Sequence, residues 1–525
     1  MDIIENEKKK RTILYGLLVT VLVLIGVTYA YYRITKTQTN SNVIGTRTCL
    51  NTTLTEETSE IVLSDAFPIS DEDGLKQSPF TFTLTNNCDS YVKVTIALVS
   101  EYRTSTNTAY LKDNYVKSNL STKGTNDGSS VILSTLSLGE VDTNTQGYVL
   151  KTTGLKNKEA KSFDLRLWLD SETTNEQGLN KTWKGKIVVS VVAAEYVPTF
   201  AETILANNEV KAPITTPGAA ISTADEAEFA STEDDYGTSY YFRGAVTNNY
   251  VEFANKCWRI VRVGGDGSVK LILHNDNTAG VANPCDSANN SASAAFARYS
   301  GTTYKSAFNS SYNDNAYVGF KYGTVGASDY ATTHANTNNS TILTNLEAWY
   351  NNNLKTYESV IDDNVWCNDK TNVTDTSYDP WSISPNGLGY AKNVTYYGAT
   401  KRLVGTSGSA GGTGPSLKCN GELSKITSKV GLITADELAL AGYATGLQNT
   451  TTYLQENATD TYWWSLSPDF FYGGYAYVWN VYGSSGGFYS SSVNFTYGVR
   501  PSISLKSTTN VTGEGTSNSP YIISM

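Results

Sequence analysis

Between Val43 and Pro198 the chain alternates apolar and polar residues over short runs, as in Ser78–Thr85 (SPFTFTLT), Tyr91–Val99 (YVKVTIALV), Ser162–Asp170 (SFDLRLWLD) and Thr182–Ala193 (TWKGKIVVSVVA). A period of two puts successive side chains on opposite faces, so each run predicts a strand with one face in a core. Polar turns separate them, and together they predict an all-β sandwich over residues 33–198. The alternation stops at Thr199. Phe200–Val210 predicts a short helix, and the KAPITTPGAAISTADEAEF that follows has the Pro, Gly, Ala and Thr of an extended segment. Residues 199–235 therefore read as a helix and a joint between two domains.

The pattern resumes at Tyr236. Val251–Val263 and Ser268–His274 flank Gly264-Gly265-Asp266-Gly267, which predicts a hairpin with a glycine-rich turn. A phosphate loop is excluded because neither a Lys-Ser/Thr pair nor a helix start follows the glycines. Ser340 or Thr341 can cap a helix reaching about Glu358, with Ile342, Leu346, Trp349, Tyr350, Leu354 and Tyr357 on one face. A second helix starts at Thr434, where Thr434 and Glu437 form a capping box and Gly442 can close the end. The acidic pair Asp436 and Glu437 is thereby explained as structural.

Near the start, Thr12 to Tyr32 form 21 uncharged, mostly apolar residues. As a helix they span about 31 Å, matching a bilayer core of about 30 Å. Lys8, Lys9, Lys10 and Arg11 precede them, so residues 1–11 are expected in the cytoplasm and residues 12–32 as a single-pass anchor in the plasma membrane, with the bulk outside. The rival is a cleaved signal peptide ending near Thr28-Tyr29-Ala30; either way the bulk is exported.

At 525 residues the chain exceeds the roughly 250 that one core sustains, so several domains are expected. A net charge of −10 with only 17% charged residues argues against a nucleic-acid partner, which needs clustered Lys and Arg. Six cysteines in an exported chain predict disulfides. If each domain closes on itself, Cys49 pairs with Cys88. The remaining four allow three pairings, and proximity favours Cys257 with Cys285 and Cys367 with Cys419. A zinc site is disfavoured because there is no CxxC and the only histidines, His274 and His334, lie far from any cysteine. No metal or cofactor is expected.

The segment Tyr462 to Pro501 has the most unusual composition. From Asp469 to Tyr497 there is no Lys, Arg, Glu, Gln, His, Met, Leu or Ile, and 20 of the 29 residues are Tyr, Phe, Ser or Gly. Rigid aromatic rings give contact area at low entropic cost, and Ser and Gly adapt around them, so this is the composition of a binding surface. Apart from tyrosines its only ionisable group is Asp469, too little for proton transfer or nucleophilic attack. The candidate contact residues are Asp469, Phe471, Tyr472, Tyr475, Tyr477, Asn480, Tyr482, Ser484, Phe488, Tyr489, Ser491 and Asn494. Ala476, Val478, Val481 and Val493 are expected to face inward, with Trp463, Trp464 and Arg500 as scaffold. The alternative for each aromatic is burial in the core.

Three resemblances add to this. YWWSLSP, the aromatic window and the closing Gly498-Val499-Arg500-Pro501 resemble the C-terminal region of variable proteins diversified by retroelements, which have a C-type-lectin-like fold. Mutating both adenines of AAC codons yields Phe, Ser, Tyr, Gly, Asp, Asn, Thr, Val or Ala but never Trp, and only Trp479 breaks that rule; an undiversified aromatic β-segment has the same alphabet. GLITADELALAG and Gly498-Val499-Arg500 look like motifs of the formylglycine-generating-enzyme branch of the fold, over roughly Tyr236 to Ile523. That branch uses a late cysteine pair, and here the last cysteine is Cys419. The calcium-binding motifs of animal lectins are also missing, since Trp479-Asn480 is followed by Val481. Finally, PISDEDGLKQSPFTFTLTNNC and LRLWLDSETTNEQGLNKTWKGKIVV resemble membrane-proximal domains of Gram-positive surface proteins of the camelysin and TasA group, which implies a structural spacer.

These readings converge on a non-enzymatic, membrane-anchored protein: a β-sandwich stalk, then an α+β C-type-lectin-like domain over 236–525 that binds a protein or glycan at the cell surface. The rivals are a fibre-forming envelope protein with a passive head, and an oxidase of the formylglycine-generating type.

Overall fold

The computed structural model describes residues 34–37, 51–57, 61–63, 66–140, 145–219 and 226–524. The expected tail, the membrane span over 12–32 and Cys49, with its pairing to Cys88, lie outside these residues. No helix among the described residues is long and apolar enough to cross a membrane. The chain divides into two units, Met1–Val197 and Pro198–Met525, and is predominantly β.

All four alternating runs of the first unit form strands: Phe80–Asn86, Val92–Ser100, Ala160–Asp170 and Trp183–Ala193. Two belong to each of two six-stranded sheets. The inward sets, among them Phe80, Phe82 and Leu84 from one sheet and Val92, Val94, Ile96 and Leu98 from the other, share one buried core, as the period of two requires. Inside it Asp113 accepts hydrogen bonds from Ser100 Oγ, Tyr148 OH and Trp183 Nε1, each at 2.7 Å, which satisfies a carboxylate that would otherwise be costly to bury.

The second unit is built on an eight-stranded and a six-stranded sheet that share one large core. Its first elements differ from the expected joint. Thr199 and Glu202 form a capping box, and the helix Phe200–Asn207 buries Phe200, Ala201 and Ile204 in that core, with Phe200 edge-on to Tyr521 at 5.2 Å. Ala227–Asp234 is a strand paired along its length with Gly237–Gly244. The described part of 199–235 is therefore integral to this unit. The strand escapes a hydropathy reading because its flank carries acids, and these are buried in ion pairs: Glu226 with Arg243, and Asp234 with Arg262 at 3.0 Å.

The glycine-rich hairpin forms between Lys256–Val263 and Val269–Asn275, with Gly267 at a φ of 81° closing the turn. The run starting at Val251 is two strands rather than one. Ala254 and Asn255, both left-handed, turn Tyr250–Phe253 back onto Lys256–Val263. The two capped helices appear as Thr341–Asn353, with Ser340 as cap, and Ala435–Ala441, with the Thr434–Glu437 box and Gly442 at its end. Cys257–Cys285 and Cys367–Cys419 are the disulfides of this unit.

Candidate functional site

The C-terminal window folds into Trp463–Tyr472, Tyr475–Val481, Phe488–Ser492 and Thr496–Gly498 of the six-stranded sheet. The first two strands are joined through Gly473 and Gly474, both at positive φ, the conformation a two-residue hairpin requires. Pro468 cannot donate to a ladder, and the pairing slips on either side of it. The freed backbone is taken up by the helix Ala435–Ala441 and its approach: Leu466 donates to the Ile433 carbonyl at 2.8 Å, and Ser467 Oγ accepts from the Ala435 amide at 2.9 Å. Trp463, Trp464 and Arg500 are fully buried, as scaffold residues should be.

At the hairpin tip aromatic rings meet solvent. Tyr472 and Tyr475 are 46% and 41% exposed. Tyr475 stacks on Tyr312 with centroids 4.8 Å apart, and lies 6.5 Å from Tyr477. Tyr477 in turn stacks on Phe470 at 4.3 Å, and Phe470 sits 5.2 Å from Trp381. Tyr312, Tyr475, Tyr477, Phe470 and Trp381 thus form a row of partly exposed rings from three separate segments. Burial pushes the Tyr477 hydroxyl above its usual range, so the row stays uncharged at that position near neutral pH.

A second group of rings surrounds Tyr482. It stacks on Tyr462 at 3.9 Å and lies 5.0 Å from Tyr489, while Tyr497 contacts Tyr462 at 5.0 Å and Phe495 at 5.9 Å. No ring pair among the described residues links the two groups. Ser484 and Asn494 are exposed. The expected contact residues therefore divide: Tyr475 and Tyr477 in one row, with Tyr472 opposite Tyr475 in the ladder, and Tyr482 and Tyr489 in the other group.

Five expected contacts are corrected by the structure, because Asp469, Phe471, Asn480, Phe488 and Ser491 are all buried. Asp469 Oδ1 accepts from Thr400 Oγ1 at 2.6 Å and its carbonyl accepts from the Tyr397 amide at 2.9 Å, tying the strand to the helix Gly398–Leu403. Burial raises this carboxyl to about 7. Phe471 and Asn480 face inward with Ala476 and Val478, and Ser491 pairs opposite Val478. Phe488 packs on Trp479 at 4.8 Å, so this end of the sheet is covered on both faces. Of the residues not anticipated, Phe470, Phe495 and Tyr497 share the aromatic window and could have been found from composition. Tyr312 and Trp381 come from Asn/Ser/Asp-rich loops with no local signal of their neighbours.

Away from the rings, a cavity of about 40 Å³ is lined by Cys367, Cys419 and charged groups. Arg402 bonds Asp436 through Nε at 2.7 Å and Nη2 at 2.9 Å, and reaches Asp369 at 2.7 Å. Lys270 Nζ lies 2.7 and 2.9 Å from the two Glu437 oxygens, and Arg262 Nε 3.0 Å from one of them. Asp436 and Glu437 are thus fully engaged in capping and ion pairing, the structural role the capping box implies. Larger open hollows of about 520 and 600 Å³ lie elsewhere, one beside Tyr250 and Glu456 and one beside Thr371 and Lys401. Both histidines are buried and held neutral, His274 and His334 each pulled down by burial.

No family model, curated protein or solved structure matches this chain.

Proposed function

We propose that this chain is a cell-surface recognition protein: an N-terminal membrane anchor, a β-sandwich stalk and a C-type-lectin-like head that binds a protein or glycan through the ring row Tyr312–Tyr475–Tyr477–Phe470–Trp381. The observation that supports this is the row itself. Flat, uncharged rings stacked from three segments and left partly open to water give a pre-ordered platform. Stacked neighbours fix the rotamers, so little side-chain entropy is lost on binding. Such a surface holds the apolar face of a sugar ring or an aromatic-rich peptide, and it carries out no chemistry. The test is binding of the purified extracellular chain to glycan arrays and to cells. Replacing Tyr475 and Tyr477 together by Ala should abolish the interaction, with unchanged circular dichroism. Full binding by that double variant would refute the assignment.

Diversification of this segment belongs to the same proposal. It places variable codons at the exposed Tyr472, Tyr475, Ser484 and Asn494 rather than at the buried Asp469 and Phe488. The nucleotide sequence of the locus decides it: a near-copy of the segment differing at template adenines, beside a reverse transcriptase gene, supports diversification. Variation without adenine bias removes it and leaves the binding surface fixed.

A further inference from the structure

Three lysines of the second unit are buried. Two of them have a carboxylate: Lys256 reaches Asp276 at 2.9 Å and Lys270 reaches Glu437 at 2.7 Å. Lys370, fully buried, makes no salt bridge among the described residues. Its Nζ lies instead 2.6 Å from the side-chain Oδ1 of Asn336, and 3.0 Å from the backbone carbonyls of Lys321 and His334. The Asn336 carboxamide is held from its other end, where Nδ2 donates to the Leu423 carbonyl at 3.1 Å. A C=O bond of about 1.23 Å places the carboxamide carbon within about 3.8 Å of the lysine nitrogen, close to the separation of a near-attack pair.

We propose that Lys370 and Asn336 join in an intramolecular amide cross-link made by the folded chain itself. The Nζ lone pair attacks the carboxamide carbon and a C–N bond forms. The bond from that carbon to Nδ2 then breaks, and Nδ2 leaves as ammonia carrying the proton lost by Nζ. Nothing is oxidised or reduced, and no co-reactant is consumed. Burial without a countercharge draws the lysine down to about 7, so much of the amine is unprotonated at neutral pH. The His334 imidazole is buried nearby and kept neutral by burial and by the neighbouring Lys370 charge, so it offers no competing positive charge. The product would tie the segment after the helix Tyr330–His334 to the chain just beyond Cys367, reinforcing a region already closed by the Cys367–Cys419 disulfide.

Mass spectrometry of the purified full chain tests this without any variant. The expected mass is one ammonia below that of the disulfide-oxidised sequence. A tryptic map should show a branched peptide joining the Asn336 and Lys370 segments, with no cleavage after Lys370. Asn336→Ala should restore the full mass and cleavage. Asn336→Asp should cross-link with loss of water instead. A full-mass chain cut cleanly after Lys370 would overturn the proposal and leave Lys370 an ammonium satisfied by three oxygen acceptors. An ammonia loss mapped to any other residue would overturn it equally.

Discussion

Replacing Glu437 by Gln should be among the most damaging single-atom changes in the second unit, and the structure sets both its size and its pH dependence. The Gln side chain can still accept from the Thr434 amide, now 2.9 Å from Glu437 Oε2, so the helix cap survives. What is lost is charge. Arg262 keeps Asp234 at 3.0 Å, but Lys270 loses its only carboxylate while remaining buried. Breaking a buried pair costs about 3–5 kcal/mol. With its countercharge gone, burial favours a neutral Lys270 in the variant, and we expect a loss of about 3–5 kcal/mol at pH 7. In the native protein burial already pulls Lys270 down to about 8 against the favourable pull of Glu437. Above pH 7 the variant's neutral lysine becomes less costly, by about 1.4 kcal/mol per unit. The gap between the two proteins should therefore narrow up to about pH 8 and then level, as native Lys270 begins to deprotonate too. It should also close in acid. Burial alone would raise the Glu437 carboxyl, but Lys270 and Arg262 hold it below its ordinary value, so its contribution is present above about pH 4.3 and lost as pH falls through the lower folded pKa. Urea unfolding with disulfides intact, followed by tryptophan fluorescence, measures this. Seven of the nine tryptophans lie in the second unit, so the signal reports mainly on it. A loss below about 1 kcal/mol at pH 7, or a gap indifferent to pH between 7 and 8, would refute the reasoning.

Asp469→Asn should act in the opposite sense. Burial lifts the folded carboxyl to about 7, so its contribution to stability is fully present below the unfolded value near 3.9 and falls as pH rises to about 7. The Asn variant, which has no charge to bury, should be the more stable protein at pH 8 and lose that advantage by pH 4, read from urea midpoints at both. Gly244→Ala probes a different constraint: Gly244 has a φ of 75°, and an added Cβ would collide with the Glu226 carbonyl. A loss of about 2 kcal/mol or more is expected, measured by the same unfolding assay.

How much of this was legible in the sequence follows from which residues carry a period. The four sandwich strands were placed to within a few residues, because Phe82, Val94, Leu165 and Ile187 alternate with polar neighbours and are all buried. Both capped helices were found from Ser340 and from Thr434 with Glu437, where local chemistry fixes the start. The strand Ala227–Asp234 was missed since Glu228 and Asp234 are buried on it, and hydropathy treats every acid as solvent-facing. The turn at Ala254-Asn255 was missed because neither residue is the glycine that a left-handed pair favours.

The aromatic window shows where composition and period give different answers, and the period is the better guide. Composition counts Asn480 and Ser491 among contacts as readily as Tyr475. Yet Asn480 shares its phase along the strand with Ala476 and Val478, and Ser491 pairs across from Val478, so alternation already turns both inward. Alternation in turn fails for Trp479 and Val481, which share the phase of the outward Tyr475 and Tyr477 but are buried. The cause is tertiary: Phe488 from the next strand covers Trp479, and Tyr443 lies 6.1 Å from Phe488 behind it. The sheet is thus sheltered around Trp479 and Phe488 and open at its hairpin, so packing places the ring row that ends in Tyr475 at the tip, and that row can be altered with least damage to the fold there or in the loops that deliver Tyr312 and Trp381.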